Sequence, residues 1–463
     1  MAEIEGLGER LVAYCASFLG WMRTRTRDTS HYGYEYVSGL LRLDSERTIA
    51  NIGRQTDVNE QAMHHFISNS PWSAREVLDE VQRQVAARAE VHSGAVLILD
   101  ESADEKAGQC SVGAARQYNG RRGKVEMSQV GVFVALAKDD FWTWVDGEVY
   151  LPQAWFGDAY VDKRLRAGIP PERAFLTKPE LGWQMIERAR ANGLPFEAVA
   201  CDTLYGRNTW LRDRMAGAGL EYYADVPANT RVYLSEPLIA LPDNRPGRKA
   251  HKPRILSPKA MRVDQLRDQP DTAWQHVDIR PCERGILSAD FATLPVWTVR
   301  DDLSVHPETL LIRRDARKHT YTLTNASPGT PLATLACRQS QRYFVERSNQ
   351  DAKSEYGWDE FQATKLLAWE HQLALTIMAA WFIAQTKLDW AKQYAHDPAL
   401  LEHYQVDVLP ALSVANVRSL LCAALPLPQL QPGQAADLVV QHLVNRTRSR
   451  KSRLKNHPAH SGP

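Results

Sequence analysis

Two short apolar runs, each closed by an aspartate, constrain this chain more than anything else in it. Gly94-Ala95-Val96-Leu97-Ile98-Leu99 ends at Asp100, and Phe196-Glu197-Ala198-Val199-Ala200-Cys201 ends at Asp202. Apolar runs of this length suit buried strands, so each aspartate falls at the carboxyl end of one. A third acid, Glu346, lies in Gln341-Arg342-Tyr343-Phe344-Val345-Glu346-Arg347, which reads as helix. Three carboxylates converging from two strands and a helix suit a pair of divalent cations that handle phosphodiesters.

Residues 1–90 read as helical. Leu7, Leu11, Val12, Cys15 and Phe18 recur at helical spacing. A pattern through Ile49 and Ile52 reaches Gly53 and resumes after Asn59 as Gln61, Ala62, Met63 and Phe66. A helix, a turn containing Gly53 and a second helix capped near Asp57 would fit a helix-turn-helix. Such a unit serves DNA contact, through Asn59 and Gln61 among others, or plain helix packing.

Beyond residue 94 the pattern changes. Strands are predicted at Val96–Asp100, Met127–Ala137, Phe141–Leu151, Phe196–Asp202 and Glu221–Val226, with a turn or bulge at Asp146-Gly147. Helices are predicted at Pro179–Asn192 and Asn208–Ala218. Three strands, then helix and strand twice, is the order of a ribonuclease-H-like core. Residues 227–335 interrupt it. Pro242–Pro258 reads as loop, and Gln275–Arg280, Ile286–Arg300, Thr309–Arg314 and Thr320–Thr324 as strands. The predicted class is therefore α/β, a ribonuclease-H-like catalytic core with an inserted β-rich subdomain and an N-terminal helical domain. The core takes 91–226 and 336–395, the insertion 227–335, and a C-terminal helical region 396–444. The tail, 445–463, is basic through Arg446, Arg448, Arg450, Lys451, Arg453 and Lys455, and reads as disordered.

The net charge of +1 implies no nucleic-acid partner by itself. The six cysteines form no Cys-x-x-Cys pair, which argues against a zinc or disulfide framework and for a reducing cytoplasm. The acidic start Met1-Ala2-Glu3-Ile4-Glu5 lacks the basic region of a signal peptide. The apolar stretch Leu373–Thr386 is short for a bilayer and reads as a buried helix, so no membrane is expected.

On one helix, Glu346 falls about 40° and Lys353 about 20° round from Arg342. A carboxylate between two cations on one stripe can hold metal while its neighbours grip phosphate; on an arbitrary helix it would be a solvated salt-bridging face. Glu101 and Asp104 read as exposed loop acids, with support of Asp100 as the alternative. Asp139, Asp140 and Asp158 read as surface acids, and His64 and His65 as exposed or DNA-facing. Arg116, Arg121 and Arg122 flank Tyr118 in a loop or hairpin that could follow a DNA backbone or be a solvated turn. Trp297 reads as core packing, with stacking on a flipped base as the alternative.

Several segments together resemble the DDE transposases of bacterial insertion sequences, specifically the insertion sequence 701 family, related to the clan with a Tyr-Arg-Glu-Lys signature. They are Leu97–Ser102, Ser111–Tyr118, Tyr150–Pro152, Thr177–Leu181, Asp202–Gly206 and Arg342–Asp359, with Leu40-Leu41 and Pro71-Trp72 earlier. The resemblance implies Asp100, Asp202 and Glu346 as catalytic, metal-holding acids, and Arg342 and Lys353 as the signature cations. The signature tyrosine falls on Gln339. It further implies two Mg²⁺ ions, replaceable by Mn²⁺, and cut-and-paste DNA transposition. The partners would be the inverted-repeat ends of an element and target DNA, bound by a homodimer in the nucleoid. A domesticated DNA-binding regulator and a metal-dependent nuclease without strand transfer are the alternatives; a two-carboxylate glycosidase lacks support.

Overall fold

The computed structural model describes residues 6–427, apart from 26, 57, 107, 121, 243–251, 271, 283–284, 316–317 and 362, and scattered positions between 440 and 452. Five helices come first: α1 (Leu7–Ala16), α2 (Ser30–Arg42), α3 (Ile49–Gln55), α4 (Glu60–Ser68) and α5 (Ala74–Ala86). Side chains start three of them. Thr48 accepts from the Asn51 amide, Asn59 from Ala62 and Ser73 from Glu76, each satisfying an otherwise free N–H of a first turn. The cap of α4 is thus Asn59; Asp57, where the sequence put it, lies outside the described residues. Gly53, expected in the turn, lies inside α3, and α3 and α4 close tightly because it is glycine. A Cβ there would stand 2.9 Å from the Val58 carbonyl oxygen. Met63, Phe66 and Ile67 bury one face of α4, while Gln61, His64 and His65 are exposed.

The centre of the protein is one mixed sheet of ten strands. Its first members are β1 (Ala95–Glu105), β2 (Ala115–Asn119), β3 (Lys124–Lys138), β4 (Phe141–Val149), β5 (Phe196–Cys201) and β6 (Glu221–Val226). β3 lies antiparallel to β1, and on its other edge pairs with β2 and β4. β1, β5 and β6 run parallel. The crossovers are helical: α6 (Val161–Ala167) and α7 (Lys178–Ala191) precede β5, and α8 (Thr203–Gly206) and α9 (Thr209–Gly217) precede β6. A capping box starts α7, with Thr177 accepting from the Glu180 amide and Glu180 bonding back to Thr177.

The sequence ends the first strand at Asp100, and the structure corrects this. β1 stays paired with β3 as far as Glu105 opposite Ser128, while its parallel pairing with β5 stops at Leu99 opposite Cys201. Asp100 therefore marks the end of the parallel segment inside a longer strand. The turn or bulge expected at Asp146-Gly147 is a bulge: the β3–β4 register shifts between Val134 and Ala135, which lie opposite Asp146 and Trp144.

After β6 come two small hairpin-like pairs, β7 (Arg231–Val232) with β10 (Met261–Arg262), and β8 (Leu238–Ala240) with β9 (Arg254–Ser257). Arg254–Ser257 is thus strand where loop was expected; 243–251 lie outside the described residues. α10 (Val263–Leu266) follows. The four expected strands then appear as β11 (Gln275–Cys282), β12 (Gly285–Val299), β13 (Val305–Arg314) and β14 (His319–Thr324). They continue the central sheet, because β14 pairs antiparallel with β6. A second apolar cluster, with Val232, Val263, Val296 and Leu310, supports this wing.

The remaining helices are α11 (Leu332–Ser340), α12 (Tyr343–Ser354), α13 (Leu366–Tyr394), α14 (Pro398–Tyr404) and α15 (Val414–Ala424). The apolar stretch at 373–386 is part of a longer element than expected. At 29 residues, α13 could cross a bilayer by length and composition, yet 89% of its most apolar window is buried. It packs on β4, α5 and α2. Of the basic tail, the described positions 447–448 and 450–452 are helical, and the rest lies outside the described residues.

A charged network ties the N-terminal helices to this sheet. Asp146, fully buried on β4, accepts two bonds from Arg75 of α5 (2.8 and 3.1 Å) and one from Arg188 of α7 (2.9 Å). Burial alone would raise its carboxyl; Arg75 and Arg188 outweigh that and hold it below the ordinary value. A depressed acid contributes stability above its unfolded pKa of about 3.9, and that stability is lost as pH falls through the folded value. Asp146→Ala should therefore destabilise the neutral protein by about 2–3 kcal/mol, less than a fully buried pair because both guanidinium groups reach solvent. Urea melts should show a lower midpoint at unchanged slope, and the loss should shrink as the pH is lowered below about 4.

Candidate active site

The site begins with register. Leu99 of β1 pairs with Cys201 of β5, and Cys201 pairs with Ala224 of β6. The residues that follow are Asp100, Asp202 and Asp225. Three aspartates thus stand in one row across three neighbouring parallel strands, and in-register residues of such strands share a face. Asp202 is also the cap of α8, accepting from the amides of Leu204 (2.9 Å) and Tyr205 (3.4 Å). α8 lies so close to β6 that a Cβ at Gly206 would fall 2.0 Å from the Asp225 carbonyl oxygen. Glycine there permits the turn that aims Asp202 into the site.

These residues line a cleft of about 1360 Å³, which also takes in Glu346, Arg342 and Lys353. All five catalytic and signature residues named from the sequence are therefore brought to one cavity. Arg342 stands just before α12 rather than within one continuous helix, because α11 ends at Ser340 and α12 starts at Tyr343. Its Nε lies 3.0 Å from Asp225 Oδ2, and its Nη2 lies 3.0 Å from Glu346 Oε1. Lys353 is committed elsewhere, 2.7 Å from Asp104 Oδ1 and donating to the Ala103 carbonyl at 3.0 Å.

The other named residues separate. Arg116 is exposed on β2 and does not line the cleft, whereas its neighbour Tyr118 does, with its ring largely in solvent. Arg121 lies outside the described residues. Asn59 and Gln61 sit on α4, away from the cleft lining, and the Asn59 side chain is occupied as a cap. Trp297 is half-buried on β12 and does not line the cleft. Asp139, Asp140 and Asp158 are exposed, as expected. Glu101 and Asp104 are not exposed loop acids: both belong to β1, Asp104 is buried, and Glu101 pairs with Lys178 at 3.0 Å.

Sequence reasoning missed Asp225. It is buried, accepts from Thr322 Oγ1 at 2.5 Å, and is bonded by Gln339, the residue at the absent tyrosine position. The available signal was its place near the end of the fifth predicted strand, equivalent to the ends that gave Asp100 and Asp202. Tyr205 was also missed; its hydroxyl is buried beside Glu101, and burial, then Glu101, Asp100 and Asp202, hold its proton.

Electrostatically the row is strained. Burial, then Asp202 and Glu101, push the Asp100 carboxyl well up. Burial and then Glu101 raise Asp202. Burial opposes the Arg342 charge, but Asp225, Glu346, Asp100 and Asp202 more than offset it and hold that proton tighter than usual. Among the described residues no group of three His, Cys, Asp or Glu side chains is arranged to hold a metal ion. The donor chemistry nonetheless fits a hard cation. Asp100 and Asp202 offer oxygen and repel each other. The element missing from a three-acid site is Glu346, whose carboxylate is turned to Arg342.

The half-buried Asp100–Asp202 pair and Arg342 thus face one wide cleft. Comparison with known proteins places the chain in a family. The family model described as DDE superfamily endonuclease matches residues 22–285, more than half of the chain, and the chain belongs to that family. A protein from Microchaete diplosiphon, described as "Probable transposase for insertion sequence element IS701", is 26% identical over 205 residues, covering 42% of this chain. The match takes in 49% of that relative, so the chain spans about half the length of the curated protein it matches.

A raised acid lowers stability as pH climbs from its unfolded value through its folded one, because the native state holds the extra proton. In metal-free buffer, Asp100→Asn should therefore melt about 1–3 °C above wild type at neutral pH, and the difference should vanish near pH 4. A calorimetric pH series checks it. An Asp100→Asn protein less stable than wild type at pH 7 would mean that the row is not strained.

Proposed function

We propose that this chain is a transposase that cuts DNA at the ends of an insertion sequence and joins the freed 3′-hydroxyls to target DNA. The observation that carries the reading is the Asp100–Asp202 pair on adjacent parallel strands, facing one cleft with Glu346 and Arg342. The strand order β4-β3-β1-β5-β6, with only the last three parallel, is that of a ribonuclease-H-like core. On this reading 91–226 and 336–395 form the catalytic core. Residues 227–335 form an insertion that widens its sheet, 1–90 the DNA-reading helical part, 396–444 a helical support and 445–463 a basic tail.

Asp100, Asp202 and Glu346 would hold Mg²⁺, or Mn²⁺ in its place. The ions, when bound, activate the attacking oxygen and stabilise the leaving one. The chain's own residues do the rest. Arg342, held through Nε by Asp225 and through Nη2 by Glu346, would turn its N–H groups to a backbone phosphate on releasing Glu346. α8 fixes Asp202 by two backbone N–H bonds, so the carboxylate keeps its aim. No side chain is needed as a covalent nucleophile. Lys353 braces β1 through Asp104 and Ala103, and reaches DNA only by leaving them. The partners proposed are the element's inverted-repeat ends and target DNA, met by a homodimer in the nucleoid of the cytoplasm, with no membrane role.

Asp100→Ala, Asp202→Ala and Glu346→Ala should each abolish Mg²⁺-dependent nicking of end DNA while leaving gel shifts with that DNA largely intact. Any single variant that nicks at near wild-type rate removes that residue from the triad. Pre-cleaved ends should be joined to a target plasmid by wild type; nicking without joining would identify a nuclease instead.

The exposed face of α4 should read the end sequence. Gln61→Ala is expected to weaken binding to end DNA about tenfold or more and leave binding to random DNA unchanged, since each base-pair contact is worth about 1–3 kcal/mol. Competition gel shifts measure the ratio. An unchanged ratio would assign the α3–α4 unit to packing.

A further inference from the structure

Arg342 holds two acids at once, and the two are unlike. Asp225 is buried, fixed by Thr322 and bonded by Gln339. Glu346 is on the first turn of α12, with its side chain 52% exposed. The Nε contact is therefore the fixed end of the guanidinium and the Nη2 contact the exchangeable one. Both measure 3.0 Å. The geometry explains why no three carboxylates meet among the described residues: the third acid is tied to the cation that should face the substrate.

Resting on the function proposed above, we infer that Arg342 is a latch that keeps Glu346 off the Asp100–Asp202 pair until an anionic phosphate of DNA displaces that carboxylate, with Asp225 as its anchor. Three features make the exchange physically reasonable. A guanidinium has several donors in a fixed fork, so it can keep Asp225 while changing its other partner. Glu346 lies at the N-terminal end of α12 and half in water, so releasing it exposes no buried charge. Phosphate and carboxylate compete for the same planar donor pair. The consequence is ordered assembly: the chain is a poor metal binder alone and a better one once an anion occupies Arg342. That order would keep a DNA-cutting site incomplete away from DNA.

The latch is measurable without DNA or catalysis. Mn²⁺ binding to the metal-free protein is followed by titration calorimetry for wild type, Arg342→Gln, Arg342→Lys, Glu346→Gln and the Arg342→Gln, Glu346→Gln double variant. Arg342→Gln should tighten Mn²⁺ about tenfold, within the usual range of coupling between sites. The gain should disappear in the Glu346→Gln background, because there is no third carboxylate to release. Arg342→Lys should also tighten binding: one ammonium cannot hold Asp225 and Glu346 in a fork, and it keeps the local charge. This variant tests the idea even if loss of the charge beside Asp225 prevents folding. Sulfate, at matched ionic strength in chloride, should tighten Mn²⁺ for wild type and leave Arg342→Gln unmoved. Equal gains with and without Glu346 would reduce the effect to the field of a removed charge and overturn the latch. So would a sulfate effect shared by wild type and Arg342→Gln. Mn²⁺ binding that Asp100→Asn does not weaken would overturn the metal reading itself, and the latch with it.

Discussion

The parallel pairing of β1, β5 and β6 is the constraint on which the rest of this structure depends. Its register sets Leu99 beside Cys201 and Cys201 beside Ala224, so three consecutive strand positions deliver Asp100, Asp202 and Asp225 side by side. Burial of Val96–Leu99 and Ala198–Cys201 on both faces holds these strands in the interior, so the carboxylates fall where the apolar runs end. The cost of crowding acids falls on the site itself. It is met partly by Arg342 and partly by protons that Asp100 and Asp202 hold beyond the ordinary carboxylate range.

A comparison within the molecule shows what distinguishes this row from a structural ion pair. Asp146 is at least as buried, yet it sits below its ordinary value because two arginines bond it directly. Among the described residues Asp100 has no arginine bonded to it: Arg342 acts on it at a distance, while its own bonds go to Asp225 and Glu346. One acid is neutralised by the fold and locks helices α5 and α7 to the sheet. The other is left in deficit, which, on the proposed function, an incoming cation would relieve.

Much of this was legible in the sequence, and for identifiable reasons. The runs before Asp100 and Asp202 are apolar enough to declare buried strands, and the strands of the wing from β11 to β14 carry β-branched and aromatic residues between turns. The two-helix outline was legible, although Gly53 lies inside α3 rather than in the turn and the cap proved to be Asn59. What sequence could not give was pairing. The extension of β1 to Glu105 depends on β3 lying beside it, so Glu101 and Asp104 passed for loop acids. Asp225 stood near the end of a predicted strand, but register is what put it in line with the other two. Arg342 and Lys353 were expected to grip phosphate together, but partners distant in sequence, Asp225 and Asp104, decide where each points.

The most direct test is to locate the cation. Crystals of the protein soaked in Mn²⁺ should show an anomalous peak bridging the Asp100 and Asp202 carboxylates, absent in Asp100→Asn crystals. A peak elsewhere in the cleft, or none beside this pair at saturating Mn²⁺, would contradict the account.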